Sequence, residues 1–343
     1  ITAGYNVIVT AAKGEINGLG NEFTDVVTAE NGYIDIQAAG NTHTNAQMLA
    51  ANGIDITAGY SVFITGDGTT TTAQTTSGNI VVDSVNQNIN INDAILSAAK
   101  TADNNDGIVD LRANTNIVAA NTVITAEQIL AQTVYGAIDI AGSFTAQNEL
   151  VFDARTTFVL NGEDSVMESI ENDAYLKAMD MDFYGKLKTL AGNIYIIDRA
   201  NDNVGINIGG ERPALNAAGP LTIDAADFAN FETGDNAIII GRGKEYVGKA
   251  QTNNTVWNSA VTRNASAEIN DFATTNDVIT QVGDATTDAL NLDIITTNAI
   301  TRNDGYLTFS RDGVNLALVA NKGIEFGATA NTNLNLAAQN QPG

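Results

Sequence analysis

The sequence predicts an all-β chain wound as a right-handed parallel β-solenoid (β-helix) with irregular insertions. Three observations carry this prediction. A phrase of glycine followed by alternating aliphatic residues returns along the chain, short period-two runs fill the gaps between its copies, and Asn, Asp and Gly occupy the breaks. Alternation at period two marks a strand with one buried face. Asn, Asp and Gly are the residues that tight turns require.

The phrase reads Gly32-Tyr-Ile-Asp-Ile36, Gly53-Ile-Asp-Ile56, Gly78-Asn-Ile-Val-Val82 and Gly107-Ile-Val-Asp-Leu111. It returns as Gly136-Ala-Ile-Asp-Ile140, Gly192-Asn-Ile-Tyr-Ile196, Gly219-Pro-Leu-Thr-Ile223 and Gly305-Tyr-Leu-Thr-Phe309. From Gly32 to Gly219 the glycines are spaced fairly evenly except between Gly136 and Gly192. That gap is twice the usual step and reads as two coils with one diverged copy. Between the phrases lie Val62-Phe-Ile64, Ile89-Asn-Ile91 and Ile238-Ile-Ile240. Two or three short strands per period suit a solenoid coil better than an antiparallel sandwich, whose strands recur every 8–12 residues or so. Coils of about 25 residues, 4.8 Å apart, would give roughly 13 coils in a rod on the order of 60 Å long.

The expected organisation is a solenoid over residues 1–240, a projecting insertion over 241–275 and further coils over 276–343. A divergent coil is expected near 147–190, where residues 163–190 read as a short helix or an irregular coil. The 241–275 stretch is poor in alternating aliphatics and holds Tyr246 and the only tryptophan, Trp257.

Composition narrows the function. Sixteen Lys and Arg against 40 Asp and Glu leave a net charge of −24. Such a surface repels nucleic acid, whose binding needs clustered cations. There is no cysteine, hence no disulfide and no thiolate chemistry. No window approaches 18 consecutive apolar residues, so no membrane-spanning helix is expected. The chain opens on Ile1 and soon reads as a strand, Tyr5-Asn-Val-Ile-Val9, which suggests a processed product or a fragment of a longer chain.

The Gly-x-Ile-x-Ile phrasing, the Asn/Thr/Ala-rich turns and the acidic balance resemble the β-strand-repeat regions of bacterial surface proteins. These include filamentous-haemagglutinin-like adhesins and exported matrix or surface-layer proteins. The resemblance implies export to the cell surface or beyond, a right-handed parallel β-helix, and roles in adhesion, biofilm or surface coats. It supplies no catalytic residues.

Catalysis finds little support in the residues. The only histidine, His43, lies in Asn41-Thr-His-Thr-Asn45, which reads as a solvated polar turn and leaves no base for a serine or histidine triad. A two-carboxylate glycosidase needs a paired acid and nucleophile in a cleft, and the sequence nominates no such pair. Calcium is the expected ligand, if there is one, because hard cations take several carboxylate and amide oxygens. Asp103, Asn105 and Asp106 of Asp103-Asn-Asn-Asp-Gly107 are the candidate ligands, with thinner versions at Gly66-Asp-Gly68, Asn201-Asp-Asn203 and Asn303-Asp-Gly305. The competing reading is that Asp and Asn simply build turns there.

The expected function is that of a non-catalytic extracellular structural or adhesive protein. A parallel stack leaves open strand edges at its ends. The expected partners are therefore copies of the chain, or the continuation of a longer one, assembling end to end into a filament, sheath or coat. The alternative is a glycan-binding or polysaccharide-cleaving module in which Tyr246 and Trp257 stack on sugars.

Overall fold

The computed structural model describes residues 1–19, 25–100, 107–192 and 194–198, and separate strand segments between 206 and 326. Every regular element among them is a strand. The first coil consists of Thr2–Ala3, Val7–Ala11 and Ile16–Leu19, and the second of Val26–Ala29, Tyr33–Ala38 and Thr42–Thr44. The third is Gln47–Ala50, Gly53–Ala58 and Val62–Thr65. Each strand pairs in parallel with its equivalent one coil away, so the stack presents three faces, here the first, second and third sheets in chain order. About eight turns complete the β-solenoid.

Inward residues form continuous columns. In the second sheet Val7, Ile34, Ile54, Ile80, Val109, Ile129, Leu150, Ala174 and Ile194 stand in register, one per coil. In the first sheet Val27, Met48, Ala73, Leu96, Ile124, Phe144, Met167 and Leu187 do the same. All are buried, and burying an aliphatic side chain contributes about 1.5–3 kcal/mol. In the seventh coil one phenylalanine from each sheet meets at the axis: Phe144, Phe152 and Phe158, with ring centroids 6.3 and 5.6 Å apart and edge-on.

Polar side chains tie the corners. Where the second sheet turns into the third, Asn41, Ser61, Asn88 and Asn116 hold successive rungs. Asn41 Oδ1 accepts from Ser61 N at 3.0 Å, Ser61 Oγ from Asn88 N at 3.4 Å, Asn88 Oδ1 from Asn116 N at 3.0 Å, and Asn116 Oδ1 from Ala137 N at 2.8 Å. At the corner leading into the second sheet the recurring glycine serves close approach. A Cβ on Gly78 would lie 1.7 Å from the carbonyl oxygen of Asn52.

The structure departs from several expectations. Residues 163–190 contain no helix. They form Val166–Ser169, Ala174–Ala178, Asp180–Phe183 and Lys186–Thr189, all stacked in parallel on earlier coils. Their alternation is masked because some inward positions are small or polar (Ser169, Ala174, Ala178, Thr189) while Tyr175 faces outward. The Gly136 phrase stacks Ile138 on Ile117 in the third sheet, not in the second. The missing second-sheet rungs are Gln128–Thr133, Glu149–Asp153 and Ala174–Ala178, whose corner position is held by Glu127, Asn148 and Asn172 instead of glycine. The stretch from Gly107 to Gly192 therefore winds in more and shorter coils than its glycines suggest.

Further along, Ala237–Gly241 stacks in parallel on Ile194–Asp198, but Val278–Val282 runs antiparallel to Ala237–Gly241 and to Leu290–Thr296. Leu290–Thr296 and Val314–Ala320 pair in parallel, as do Ile300–Arg302 and Ile324–Phe326. The remainder of the expected 241–275 projection lies outside the described residues.

Three substitutions test the packing. Thr42 sits in an inward column between Ile16 and Val62, and among the described residues its hydroxyl has no hydrogen-bond partner. Thr42→Val should therefore raise stability by about 1 kcal/mol, since an unsatisfied buried hydroxyl costs about 1–3 kcal/mol, read as a higher melting midpoint. Gly78→Ala should cost more than about 2 kcal/mol by overpacking. Gly14→Ala, with open space around its Cβ, should stay within about 0.5 kcal/mol; chemical denaturation compares the two.

Candidate functional site

The outward positions of the second sheet carry an unusual load. In one row Asp35, Asp55, Val81, Asp110, Leu130, Val151 and Tyr175 stand in register. The neighbouring row holds Gln37, Thr57, Asp83, Arg112, Gln132, Asp153 and Lys177. Simple alternation would leave these side chains in solvent. Instead Val81, Leu130, Val151 and Tyr175 are buried, as are Asp83, Asp110, Arg112 and Lys177. Ile108, Leu130, Val151 and Tyr175 form a second apolar cluster outside the main core. The central coils of this sheet are thus buried on both sides.

Charge follows that burial. Arg112 Nη2 donates to Asp110 Oδ2, two residues away on the same strand, and neither side chain is exposed. Charges buried this deeply need compensation, and Asp83 stands beside Arg112 on the adjacent rung. Toward the first coils Asp35 and Asp55 face the same way on adjacent rungs, which lie about 4.8 Å apart. Burial first, and then the Asp35 charge, push the Asp55 carboxyl up to about 6, with Arg112 opposing the shift. Burial also raises Asp35, while Gln37 Nε2 counters it by donating to both carboxylate oxygens at 3.0 and 2.8 Å. Tyr175 stacks on Tyr195 at 4.8 Å and donates to Asp173 Oδ2 at 2.8 Å. Burial first, and then the Asp173 charge, hold its hydroxyl protonated far above the usual range. Asp55 therefore gives the face a carboxyl that holds its proton close to neutrality.

The open edge of the first coil is the second feature. The carbonyls of Ile1 and Ala3 accept from Thr28 N and Glu30 N, and the Ala11 carbonyl accepts from Ala39 N. Backbone groups alternate in direction along a parallel strand, so those of Thr2, Ile8 and Thr10 point away from the second coil. No described strand pairs with that side. Ile1, Tyr5 and Ile8 are well exposed beside it, and Lys13 and Glu15 are the only charged side chains in residues 1–19. A bulge at Gly18, with φ of 69°, shifts the register of the third strand.

Of the residues singled out in the sequence, Asp103, Asn105 and Asp106 lie outside the described residues. The flanks of their loop meet: a Cβ on Gly107 would lie 3.0 Å from Lys100 N, and Lys100 Nζ pairs with Glu127 Oε2 at 2.7 Å. Tyr246 and Trp257, and the 201–203 and 303–305 runs, also lie outside. Asp67 acts as a turn builder, its carboxylate accepting from Thr69 N, Thr70 N and Thr70 Oγ1 at 2.6 to 2.9 Å. Those bonds lower its carboxyl to about 2. His43 is not in a turn. It lies in the strand Thr42–Thr44, one rung from Phe63, with the rings parallel within 6° and 4.3 Å apart.

Among the described residues no three His, Asp or Glu side chains gather as a metal site, and no helix is long and apolar enough to cross a membrane. A recess of about 160 Å³ lined by Asn45, Gln47, Asp67 and Thr72 falls short of the roughly 300–1,000 Å³ of small-molecule sites. Sequence reasoning does not reach the buried Asp110–Arg112 pair or the Asp35–Asp55 rungs. Their one signal is the aspartate repeated inside the glycine phrase, at 35, 55 and 110.

These features define a protein of the β-solenoid class. Comparison with known protein families, characterised proteins and solved structures gives no match.

Asp55 sets a pH dependence. Its carboxyl is raised in the fold, so folding favours its protonated form. Stability is then greatest below the unfolded value near 3.8, declines as pH rises toward 6, and levels off above it. Asp55→Asn should remove that decline and stabilise the protein at pH 8 by on the order of 2 kcal/mol, measured by denaturant unfolding at pH 4 and pH 8.

Proposed function

We propose that this chain is a non-catalytic structural or adhesive protein of the cell surface or extracellular space, lengthened end to end into a filament, sheath or coat. The observation that carries the reading is the unpaired edge of the first coil. A rung presenting free N–H and C=O groups, with little charge to block it, is a template for another strand. Natural proteins often protect such edges with lysine or proline, and Thr2, Ile8 and Thr10 are neither. The next rung is supplied by a second copy or by more of the same polypeptide. In either case parallel stacking continues at the spacing already set inside the rod.

The surface fits this role. A net charge of −24 keeps rods apart in solution, and a divalent cation such as calcium would relieve that repulsion. Likeness in phrasing to exported β-strand-repeat proteins supports the extracellular setting. Any role of Asp103, Asn105 and Asp106 in holding calcium belongs to the same reading.

Thr10→Pro tests the assembly. It removes an N–H on the open edge and leaves the bonds to the second coil in place. Sedimentation velocity and negative-stain images should show rods that lengthen with concentration for the parent chain and single rods for the variant. A parent chain that stays monomeric at high concentration overturns the reading.

A further inference from the structure

The outward face of the first sheet differs from the rest of this acidic surface. Its central column runs from Thr28 through Leu49, Gln74, Ser97 and Thr125 to Thr145, one residue per coil, in register. Beside it stand Val26, Gln47, Ile95, Val123 and Ser143. None of these eleven side chains is charged, and all are at least partly exposed. Over the same coils the outer side of the second sheet carries Asp35, Asp55, Asp83, Asp110 and Arg112. Beyond Thr145 charge returns to this sheet, with Glu168, Lys188 and Glu232 in the same column and Lys186 in the row beside it.

We infer that this face is a lateral contact between two copies of the chain, packed antiparallel about a two-fold axis near Ser97. A two-fold contact sets each residue against itself or a near equivalent, so any charge on the axis would meet its like. Hydroxyl and amide groups both donate and accept, so Ser97, Thr125, Gln47 and Gln74 can pair with their own kind. Leu49, Ile95 and Val123 add flat aliphatic surface. For chains of net charge −24, approach costs least through an uncharged face. With the axis at Ser97, Glu168 lies opposite the coil of Thr28, and Lys186 and Lys188 lie opposite the coil of Thr2, so these charges do not meet their like.

The size of the face sets the strength. Six rungs of four residues span about 30 by 13 Å. Two copies would bury roughly 800 Å² in total, below the approximately 1,200 Å² of a standard stable interface. The contact is weak for a single pair and gains when many rungs engage together along lengthened rods.

Cross-linking tests this directly, because the chain has no cysteine of its own. Under mild oxidation Ser97→Cys should form disulfide dimers at several times the yield of Asn90→Cys, which faces outward on the third sheet. Adding Thr125→Glu, or separately Thr125→Lys, to Ser97→Cys should lower that yield about tenfold. Adding Thr10→Pro should leave it unchanged, which separates this contact from end-to-end growth. Equal yields for Ser97→Cys and Asn90→Cys, or loss of the Ser97→Cys dimer on adding Thr10→Pro, would overturn the inference.

Discussion

Each coil is held in place by the one before it. A strand this short has no stable existence alone, and here its backbone groups find partners on the neighbouring coil, a full turn away along the chain. That pairing places Ile34 over Ile54 and Ile54 over Ile80, and so closes a dry interior along the axis. A slip of one residue would turn every inward aliphatic to solvent. Register is therefore the constraint on which the remaining features rest. The corner ladder of Asn41, Ser61, Asn88 and Asn116 guards it, since each side chain catches one particular amide of the next coil.

The same stacking generates the three outer faces and makes them unlike. Outward residues of equivalent strands stand about 4.8 Å apart, so a residue type repeated in the sequence becomes a row in space. On the second sheet the row begins with Asp35 and Asp55, and burial raises both carboxyls, Asp55 to about 6. On the first sheet the row is hydroxyl, amide and aliphatic. A rod built this way can keep its copies apart through one side and meet them through another. The third sheet adds the His43–Phe63 stack, an outward aromatic pair made by two rungs that the sequence shows only as unrelated turn and strand residues.

The proposed growth at the end and the proposed contact at the side draw on different physics. The open edge offers directional hydrogen bonds and continues the internal spacing. The lateral face offers a small uncharged area and no backbone groups. A strongly acidic chain can combine the two only if the contact surfaces themselves hold little charge, as residues 1–19 and the first-sheet column do.

How much of this is legible beforehand follows from the range of each interaction. Period-two alternation and Asn/Gly breaks are local, so the all-β character, the parallel solenoid and most inward isoleucines can be read directly. The rungs from Gln128 to Ala178 escape such a reading because Glu127, Asn148 and Asn172 replace glycine at the corner. The Gly136 phrase misleads because nothing local states which earlier strand Ile138 will sit upon. The carboxyl pair of Asp35 and Asp55 appears only when coils stack, and so does the burial of the Asp110–Arg112 bridge, whose partners lie two residues apart on one strand. The sequence alone determined the strand-forming pattern, the corner chemistry and the net charge. The tertiary structure decided the pairing of coils, the double burial of the second sheet and the proton affinity of Asp55, because each depends on residues brought together from at least a full coil away.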